Sequence, residues 1–488
     1  MPFNLVNHSA VIQLSRPRKM LPAVIVVLML ISFTRGENPA IQVILTRKGL
    51  QYGKHLGAGW VQEKLEHITL PDFNGEVLGI HYILTGITIT KCDFPEPIVE
   101  FNPNNTGFTT SISGLSVALT GGWVTHFGLI HDGGSFKMAI FGLDVTSVVE
   151  LGKDSDGHLS VTSVSCDAQV GDVDIRFEGG ASWIFQPFVE HFKGWIRGEI
   201  RSKICPNVEE SIVSLDYHLQ AMEVSIQVDE DLVLDIPLTG VPVIHASSMI
   251  LGLKGEFYDR THERPPFEAQ NFTVPEQPDY MLSMGLSEFT VNSASYALYS
   301  RGWLHVLITD SMIPPYIHVR LNTSSMGPYV PQLPKMFPGL LMNLQVYASE
   351  VPMFSFQPGV VKLDLAGAVK ASAIEPNSTQ IPLFKLNVDL QFDGKVWVAA
   401  GRLKGSMGLQ NLTLTLAGSE VGHFETDTLE SLVKMGVMAG LAKLNVELGK
   451  GVVLPRMRNT QLVNTVLGVE EGFIAMCSDA EVFTDRFN

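Results

Sequence analysis

The first half of the chain changes from strand-like to helical spacing of apolar residues and back. The segment AIQVILT reads as a short strand, and residues 47–68 then place apolar side chains at helical intervals. Between Phe73 and Gly179 apolar and polar residues alternate in runs broken by Gly, Asn and Asp, which is typical of an antiparallel meander with one buried face. A long helical stripe follows from Phe185 to Leu219. The pattern predicts a strand, a helix, a large sheet and a long helix, in that order.

Both helical segments have an unusual feature. In the first, Gly53 and Gly57 share the apolar stripe with Val61, although glycine lowers helix stability by about 1 kcal/mol relative to alanine. Close packing against another element and space for a ligand both explain small residues there, and the pattern alone favours close packing. In the long helix, Pro187 belongs in the first turn or marks a kink, and Pro206 is expected to bend or interrupt the helix.

The same order of elements recurs in the second half. Residues 259–279 are rich in proline and charge and have the composition of a stiff linker between domains. Residues 284–303 are a helix candidate, β-like segments extend from 303 to 416, and residues 425–451 have the spacing of a second amphipathic helix. We therefore predict an N-terminal domain at 37–258 and a C-terminal domain of similar architecture at 280–488.

Residues 1–36 have the features of a cleaved secretory signal. A basic segment ending at Lys19 precedes an uncharged apolar run from Leu21 to Phe33, which is short for a bilayer span of about 20 residues. Cleavage near Gly36 would release a secreted chain, and translation from Met20 would give the same product. An uncleaved N-terminal anchor is the alternative.

Charge and composition exclude some function classes. The net charge of −16 becomes −20 when the four basic residues of the leader are removed, and about −15 of it falls between Glu37 and Gly240. Nucleic acid is therefore not expected as a partner, because phosphate binding requires clustered Lys and Arg. Apolar residues make up 45% and charged residues only 17% of the chain, against about 25% charged in an average protein. Such a composition suits either a close-packed core or an interior that holds lipid tails.

No enzyme is predicted, since the HExxH, GxSxG, Walker and strand-linked GxGxxG motifs are missing from the sequence. Residues 154–157 (DSDG) resemble the start of a calcium loop, but Ser165 stands where the loop needs a bidentate Glu, and a hairpin turn is the better interpretation. His126 and His131 lie near Asp132 in a glycine-rich segment and are interpreted as solvated loop histidines rather than a metal or acid–base site. Neither a metal ion nor an organic cofactor is predicted.

The mature chain is predicted to keep four cysteines: Cys92, Cys166, Cys205 and Cys477. An oxidising compartment favours pairing of some of them, but their spacing leaves three full pairings open. Sequons for N-linked glycosylation, which place their residues on the surface if they are modified, occur at Asn104, Asn271, Asn322, Asn377 and Asn411.

Several segments, in a consistent order along nearly the whole mature chain, carry a family resemblance. They are ENPAIQVILTRKGLQYGKHLGAGWVQEKLEHITLPDF, LKGEFYDRTHERPPFEA, MLSMGLSEFTVNSASYALYSRGWLHVLITDSMIP, QLPKMFPG and VVLPRM. The chain resembles the family of bactericidal/permeability-increasing protein and lipopolysaccharide-binding protein, which includes the phospholipid and cholesteryl ester transfer proteins. The stretch FEGGASWIFQPF is more similar to plant members.

The resemblance implies an α+β fold: an elongated boomerang of two similar barrels, each a coiled antiparallel sheet with two amphipathic helices, joined by a central sheet. It implies one apolar pocket in each half with bound phospholipid and no cofactor. It also implies a disulfide between Cys166 and Cys205, and it assigns no partner to Cys92 or Cys477. The residues implied to line the N-terminal pocket are Gly53, Gly57, Val61, Phe188, Val189, Phe192 and Ile196.

The function implied is that of a secreted protein of innate immunity that binds lipopolysaccharide or a related microbial lipid. Members that do so carry many Lys and Arg at the tip of the N-terminal barrel, whereas in the tip segments here, LEHITLPDFNGEVLGIHY and TGGWVTHFGLIHDGGSF, the expected basic residues are largely replaced by His, Gly and Glu. Attraction to an anionic surface should therefore be weak at neutral pH, and protonated histidines would restore positive charge in mild acid. The alternative is a phospholipid or neutral-lipid carrier without bacterial recognition.

Overall fold

The computed structural model describes residues 37–65, 69–70, 72–77, 80–127, 130–180, 182, 189–261, 264–313, 318–454 and 460–482. The predicted leader, residues 1–36, lies outside them. From Asn38 onward the chain forms one compact unit. None of the helices in the described ranges is long and apolar enough to cross a membrane. The helices are α1 (Arg47–Leu65), α2 (Val189–Gln220), α3 (Glu288–Ser300), α4 (Leu333–Met336) and α5 (Asp427–Lys450).

The strands lie on both sides of the proline-rich segment. Before it are β1 (Ile41–Thr46), β2 (Thr69–Leu70), β3 (Phe73–Val77), β4 (Ile80–Asp93), β5 (Ile98–Asn102), β6 (Gly107–Phe127), β7 (Ile130–Lys153), β8 (Leu159–Glu178), β9 (Ser225–Gln227), β10 (Leu232–Asp235), β11 (Val243–Ile244), β12 (Ser248–Leu253) and β13 (Glu256–Asp259). After it are β14 (Leu282–Ser287), β15 (His305–Thr309), β16 (Leu341–Ala348), β17 (Met353–Gln357), β18 (Val360–Ile374), β19 (Gln380–Ala399), β20 (Arg402–Ser419), β21 (Val452–Val453), β22 (Thr460–Glu470) and β23 (Phe473–Val482).

Strands β2 to β8 form the N-terminal antiparallel sheet, in the order β2-β4-β6-β7-β8, with β3 paired to β4 and β5 to β6. Its inner face buries large apolar side chains, among them Trp123 and Phe136, and α2 packs along β8 over this face. Where β4 crosses β6 the register shifts at Gly86, whose φ of 58° is a left-handed conformation that favours glycine. Such a bulge bends the strand and increases its twist, which lets a long sheet curl.

A second antiparallel sheet follows the linker, in the order β15-β16-β18-β19-β20-β21, with β17 paired to β18. Its core contains Met342, Val330, Leu333 and Leu383, which are almost fully buried. Helix α5 packs against β20, and the side chain of Asn445 exchanges two hydrogen bonds with the backbone of Met407 there. Each half therefore presents a helix, a sheet and a long helix in that order, as the sequence predicts.

A central sheet joins the two halves in the order β11-β12-β1-β14-β23-β22. Strand β1 pairs with β12 of its own half and with β14 of the other half. The proline-rich segment packs on this sheet: Val274 is 3% exposed, and Phe272 lies 4.9 Å from Phe473 between ring centres. The side chain of Gln42 donates to the carbonyl of Phe272. The segment is thus held to the sheet along part of its length.

Two local predictions from the sequence are only partly correct. The helix candidate at residues 284–303 begins as strand β14, and only at Ser287, whose hydroxyl accepts from the N–H of Phe289, does α3 begin. Sheet pairing with β1 and β23 prevails there over helical spacing. The other concerns Pro206, for which a bend or an interruption is expected; the interruption is wrong, because α2 continues through this residue. The lost backbone hydrogen bond is tolerated beside the disulfide of Cys205 and the packing of α2 on β8.

Asp479 holds four parts of the central region together. Its carboxylate accepts hydrogen bonds from Lys48 Nζ at 2.8 Å, the Met281 N–H at 3.1 Å and Asn464 Nδ2 at 3.2 Å. Burial alone would raise the pKa of this carboxyl, but the hydrogen bonds together hold the pKa below its ordinary value. The charged form therefore stabilises the fold.

We expect Asp479→Asn to lower the free energy of unfolding by about 1–3 kcal/mol at pH 7. The pKa of the folded state is depressed, so this stabilisation is present above the unfolded pKa of about 3.9 and is lost as the pH falls through the folded pKa. Urea denaturation at pH 7 and at lower pH should show the parent approaching the variant in acid. A difference that stays constant down to pH 3 would contradict this role.

Candidate lipid-binding site

The disulfide fixes the long helix to the edge of the N-terminal sheet. Cys166 on β8 is bonded to Cys205 on α2, with a Cα–Cα distance of 5.6 Å. Toward its N-terminus α2 lays an apolar stripe on the sheet: Ile196 is buried, and Val189 and Ile200 pack against the same cluster. The structure therefore brings the predicted site residues Val189 and Ile196 together on the inner face.

Helix α1 carries the other predicted residues. Gly53 is exposed, and none of the described atoms would lie within 4 Å of a Cβ added there. Among the described atoms none packs closely against Gly53, so they give no support to the close packing that the pattern favours. Gly57 and Val61 belong to α1, but their side-chain surroundings lie outside the described part of the structure.

The side chains of the remaining two site residues lie outside the described part of the structure. Phe188 lies outside the described residues, and Phe192 lies on α2 with its side chain outside them. The lining of the N-terminal pocket thus stays a prediction. Of its predicted residues, the structure describes the surroundings of Gly53, Val189 and Ile196.

The two helices meet at a mixed cluster away from Ile196. Leu50 of α1 and Ile212 and Leu219 of α2 pack around Phe101 and Met249. Beside them lies a cavity of about 40 Å³, too small for an acyl chain and sufficient for a few water molecules. Its lining residues are Arg47, Leu50, Gln51, Val99, Glu100 and Phe101.

Helix α5 carries a second apolar stripe that the sequence reasoning did not assign to a site. Leu429 and Leu441 are buried toward β20. Met435, Met438 and Val446 follow one another at helical spacing on another side and are 59%, 51% and 60% exposed. The signal in the sequence is the run of eight uncharged residues between Lys434 and Lys443, which includes Met435 and Met438. An exposed apolar stripe of this kind marks a contact surface for an apolar partner.

At the far end of the N-terminal sheet, strands carry the histidines that were interpreted as loop residues. His126 is the next-to-last residue of β6 and His131 is the second residue of β7, so the loop assignment is wrong, and the two strands pair these residues directly. Their ring centres lie 4.4 Å apart. His81 on β4 pairs with His126 on its other side.

The turn after β7 has the predicted hairpin form. Asp154 Oδ1 accepts from the backbone N–H groups of Asp156 and His158, and Asp154 Oδ2 lies 2.8 Å from His158 Nδ1. Desolvation acts to raise the pKa of Asp154, but these hydrogen bonds hold its pKa below the ordinary value. The cluster is accounted for as a tight turn.

The sequons occupy accessible positions for the most part. Asn322 is half-buried, and its side-chain oxygen accepts from the N–H of Ser325. The other four are exposed, namely Asn104, Asn271, Asn377 and Asn411. Their modification stays a prediction.

Comparison with known proteins gives the family. The N-terminal domain model of the LBP / BPI / CETP family matches residues 49–222, and its C-terminal domain model matches residues 226–482. The bactericidal permeability-increasing protein of Sebastes schlegelii is 35% identical over 460 residues, 93% of this chain and 97% of that protein. The lipopolysaccharide-binding protein of Homo sapiens is 28% identical over 471 residues, 94% of this chain and 98% of that protein.

The fold agrees with a solved structure. A crystal structure of lipopolysaccharide binding protein matches with a TM-score of 0.59 at 23% identity, covering 91% of this chain and 99% of that one. The α+β class, with curled antiparallel sheets and few helices, is therefore confirmed. The resemblance that the sequence motifs carry is confirmed as well: this chain belongs to the LBP / BPI / CETP family.

Proposed function

We propose that this protein is a secreted lipid-binding protein of innate immunity that binds lipopolysaccharide or a related microbial lipid. The observation that carries the proposal is the 35% identity to a bactericidal permeability-increasing protein over 93% of the chain. Several further relatives are lipopolysaccharide-binding proteins by name. Members of this family bind lipids without a metal or an organic cofactor.

Apolar surface on the helices supports lipid as the ligand. None of the described atoms would lie within 4 Å of a Cβ added at Gly53 of α1, so an acyl chain can lie against the helix there. In the other half, Met435 and Val446 of α5 are more than half exposed. Covering such groups with acyl chains contributes about 0.8 kcal/mol for each buried CH₂ group. We infer that phospholipid tails are held against the helices of each half.

The charge of the N-terminal half supports recognition through lipid tails rather than through phosphate charge. Residues at the end of this sheet include Glu76 beside His81, where cationic family members carry Lys and Arg. Attraction between this surface and lipid A phosphates is weak at neutral pH and is screened further by salt. The second candidate function, a phospholipid or neutral-lipid carrier without bacterial recognition, is favoured by this same acidic balance.

Native mass spectrometry and retention on immobilised lipid A test the proposal. Purified protein should carry phospholipid in stoichiometric amount and should be retained on lipid A at low and at physiological salt. If the protein carries phospholipid but is not retained on lipid A at either salt concentration, the carrier function stands and the binding of microbial lipid is overturned. Protein that carries no lipid and binds none would overturn both.

Gly53→Phe should reduce phospholipid affinity about ten-fold, because a ring in that space displaces about two CH₂ groups of an acyl chain. Gly59→Phe on the same helix is the matched control, since Gly59 is also exposed with no described atom within 4 Å of an added Cβ. Its lipid content should equal that of the parent. If both variants bind phospholipid equally well, Gly53 is not part of the lipid-binding site.

A further inference from the structure

Three imidazoles and a carboxylate form one row across the end of the N-terminal sheet. Glu76 on β3 is in register with His81 on β4, His81 with His126 on β6, and His126 with His131 on β7. Register partners on neighbouring strands project to the same face. Tyr82, the next residue on β4, is buried, whereas all four members of the row are exposed. The row therefore lies on the outer face, away from the apolar interior.

The spacing within the row suits a shared ion. Zinc–imidazole bonds are about 2.0–2.1 Å long, so two nitrogens on one ion lie at most about 4.2 Å apart. The rings of His126 and His131 have their centres 4.4 Å apart at an interplanar angle of 88°. The ligand nitrogens of His81, His126 and His131 do not all lie within 4.8 Å of one another in the structure, so binding of one ion by the three requires these exposed side chains to rotate.

Glu76 is placed to orient His81. Its Oε2 lies 3.5 Å from His81 Nδ1. A carboxylate beside one ring nitrogen of a metal-binding histidine fixes the proton there and leaves the other nitrogen free to bind the ion. In this row, Nε2 of His81 is the nitrogen left for the ion.

We propose that His81, His126 and His131 form a binding site for a divalent transition-metal ion of the class of Zn²⁺ and Cu²⁺, with Glu76 as the orienting carboxylate. Imidazole is a preferred ligand of these ions, and three imidazoles with one water complete a tetrahedral zinc site. Calcium and magnesium are not candidates, because they prefer oxygen ligands. The site is separate from the apolar surface of the proposed function.

Among the described residues, one group of three side chains already has its ligand atoms close together, and it provides a comparison. Asp154, Asp156 and His158 have ligand atoms within 4.8 Å of one another in the turn after β7. There Asp154 already accepts two backbone N–H groups and pairs with the His158 ring. The turn is therefore explained without an ion, and His158 serves as the control position.

Calorimetric titration of Zn²⁺ into the metal-free full-length protein tests the proposal. The parent should bind one ion at the row, and His126→Ala and His131→Ala should each weaken binding by at least about ten-fold. Glu76→Gln should cause a smaller loss, and His158→Ala should leave the dissociation constant unchanged. Failure of the parent to bind Zn²⁺, or a loss that follows His158→Ala instead of the row variants, would overturn the site.

A spectroscopic measurement separates loss of ligands from loss of fold. The Ala variants should keep the melting temperature of the parent, since the side chain of His81 is 67% exposed and the other two are exposed as well. Electron paramagnetic resonance of the Cu²⁺-loaded parent should show coupling to imidazole nitrogens, and His131→Ala should reduce the number of coupled nitrogens. An unchanged nitrogen pattern in that variant contradicts the assignment.

Discussion

Replacing Arg301 with methionine should lower the free energy of unfolding by about 3–5 kcal/mol, because it removes a cation that pairs with a buried carboxylate. Arg301 lies at the end of α3, where its Nε is 3.0 Å from Asp259 Oδ2 and its Nη2 is 3.0 Å from Asp231 Oδ2. The side chain of Asp259 is only 1% exposed. The guanidinium also stacks on Trp303 at 3.8 Å from the ring centre.

The same change at an exposed position is the matched control. Arg176→Met on β8 removes a side chain that is 77% exposed and contacts Asp174 at 3.7 Å, so the loss should stay within about 0.5 kcal/mol. Urea denaturation of both variants gives the comparison. Adding Asp259→Asn to Arg301→Met should recover part of the loss, because the buried charge is then removed. Equal stability of the Arg301 and Arg176 variants would show that the buried pair contributes little.

Element order could be predicted from the sequence because each long element repeats its own apolar period. Helix α1 and the strands between Phe73 and Gly179 follow directly from such periods. The strand that precedes α3 could not, because Leu282–Ser287 is defined by pairing with β1 and β23 rather than by its own pattern. Pairing partners distant in the chain leave no local signal.

The histidine row shows the same limit at a site. His81 pairs with His126 because the register of β4 against β6 shifts twice along the two strands. The shifts lie between Thr85 and Thr88 and between Ile89 and Lys91. A slip of one residue would move either side chain to the opposite face. Gly53 shows the complementary limit: the sequence shows its place in an apolar stripe, but which of the described atoms lie near it depends on where α1 lies in the fold.

The second large effect is expected from loss of the Cys166–Cys205 disulfide, which closes a loop with a sequence separation of 39. In the chain-entropy model such a cross-link contributes about 3–4 kcal/mol by restricting the unfolded chain. Replacing both cysteines with alanine should lower the free energy of unfolding of the N-terminal half by this amount. Urea denaturation followed by the fluorescence of the six tryptophans, of which buried Trp123 lies in that half, measures the loss.

A reductant provides the matched comparison for this prediction. Reductant should lower the free energy of unfolding of the parent to that of the double variant. It should leave the free energy of unfolding of the double variant unchanged. Cys92→Ala keeps the disulfide and should therefore respond to reductant as the parent does. The consequence reaches the proposed site, because the disulfide holds α2 to β8 and Ile196 lies on the same helix. Weaker phospholipid binding should accompany the lost stability, and unchanged lipid binding in the double variant would show that packing on the sheet alone positions α2.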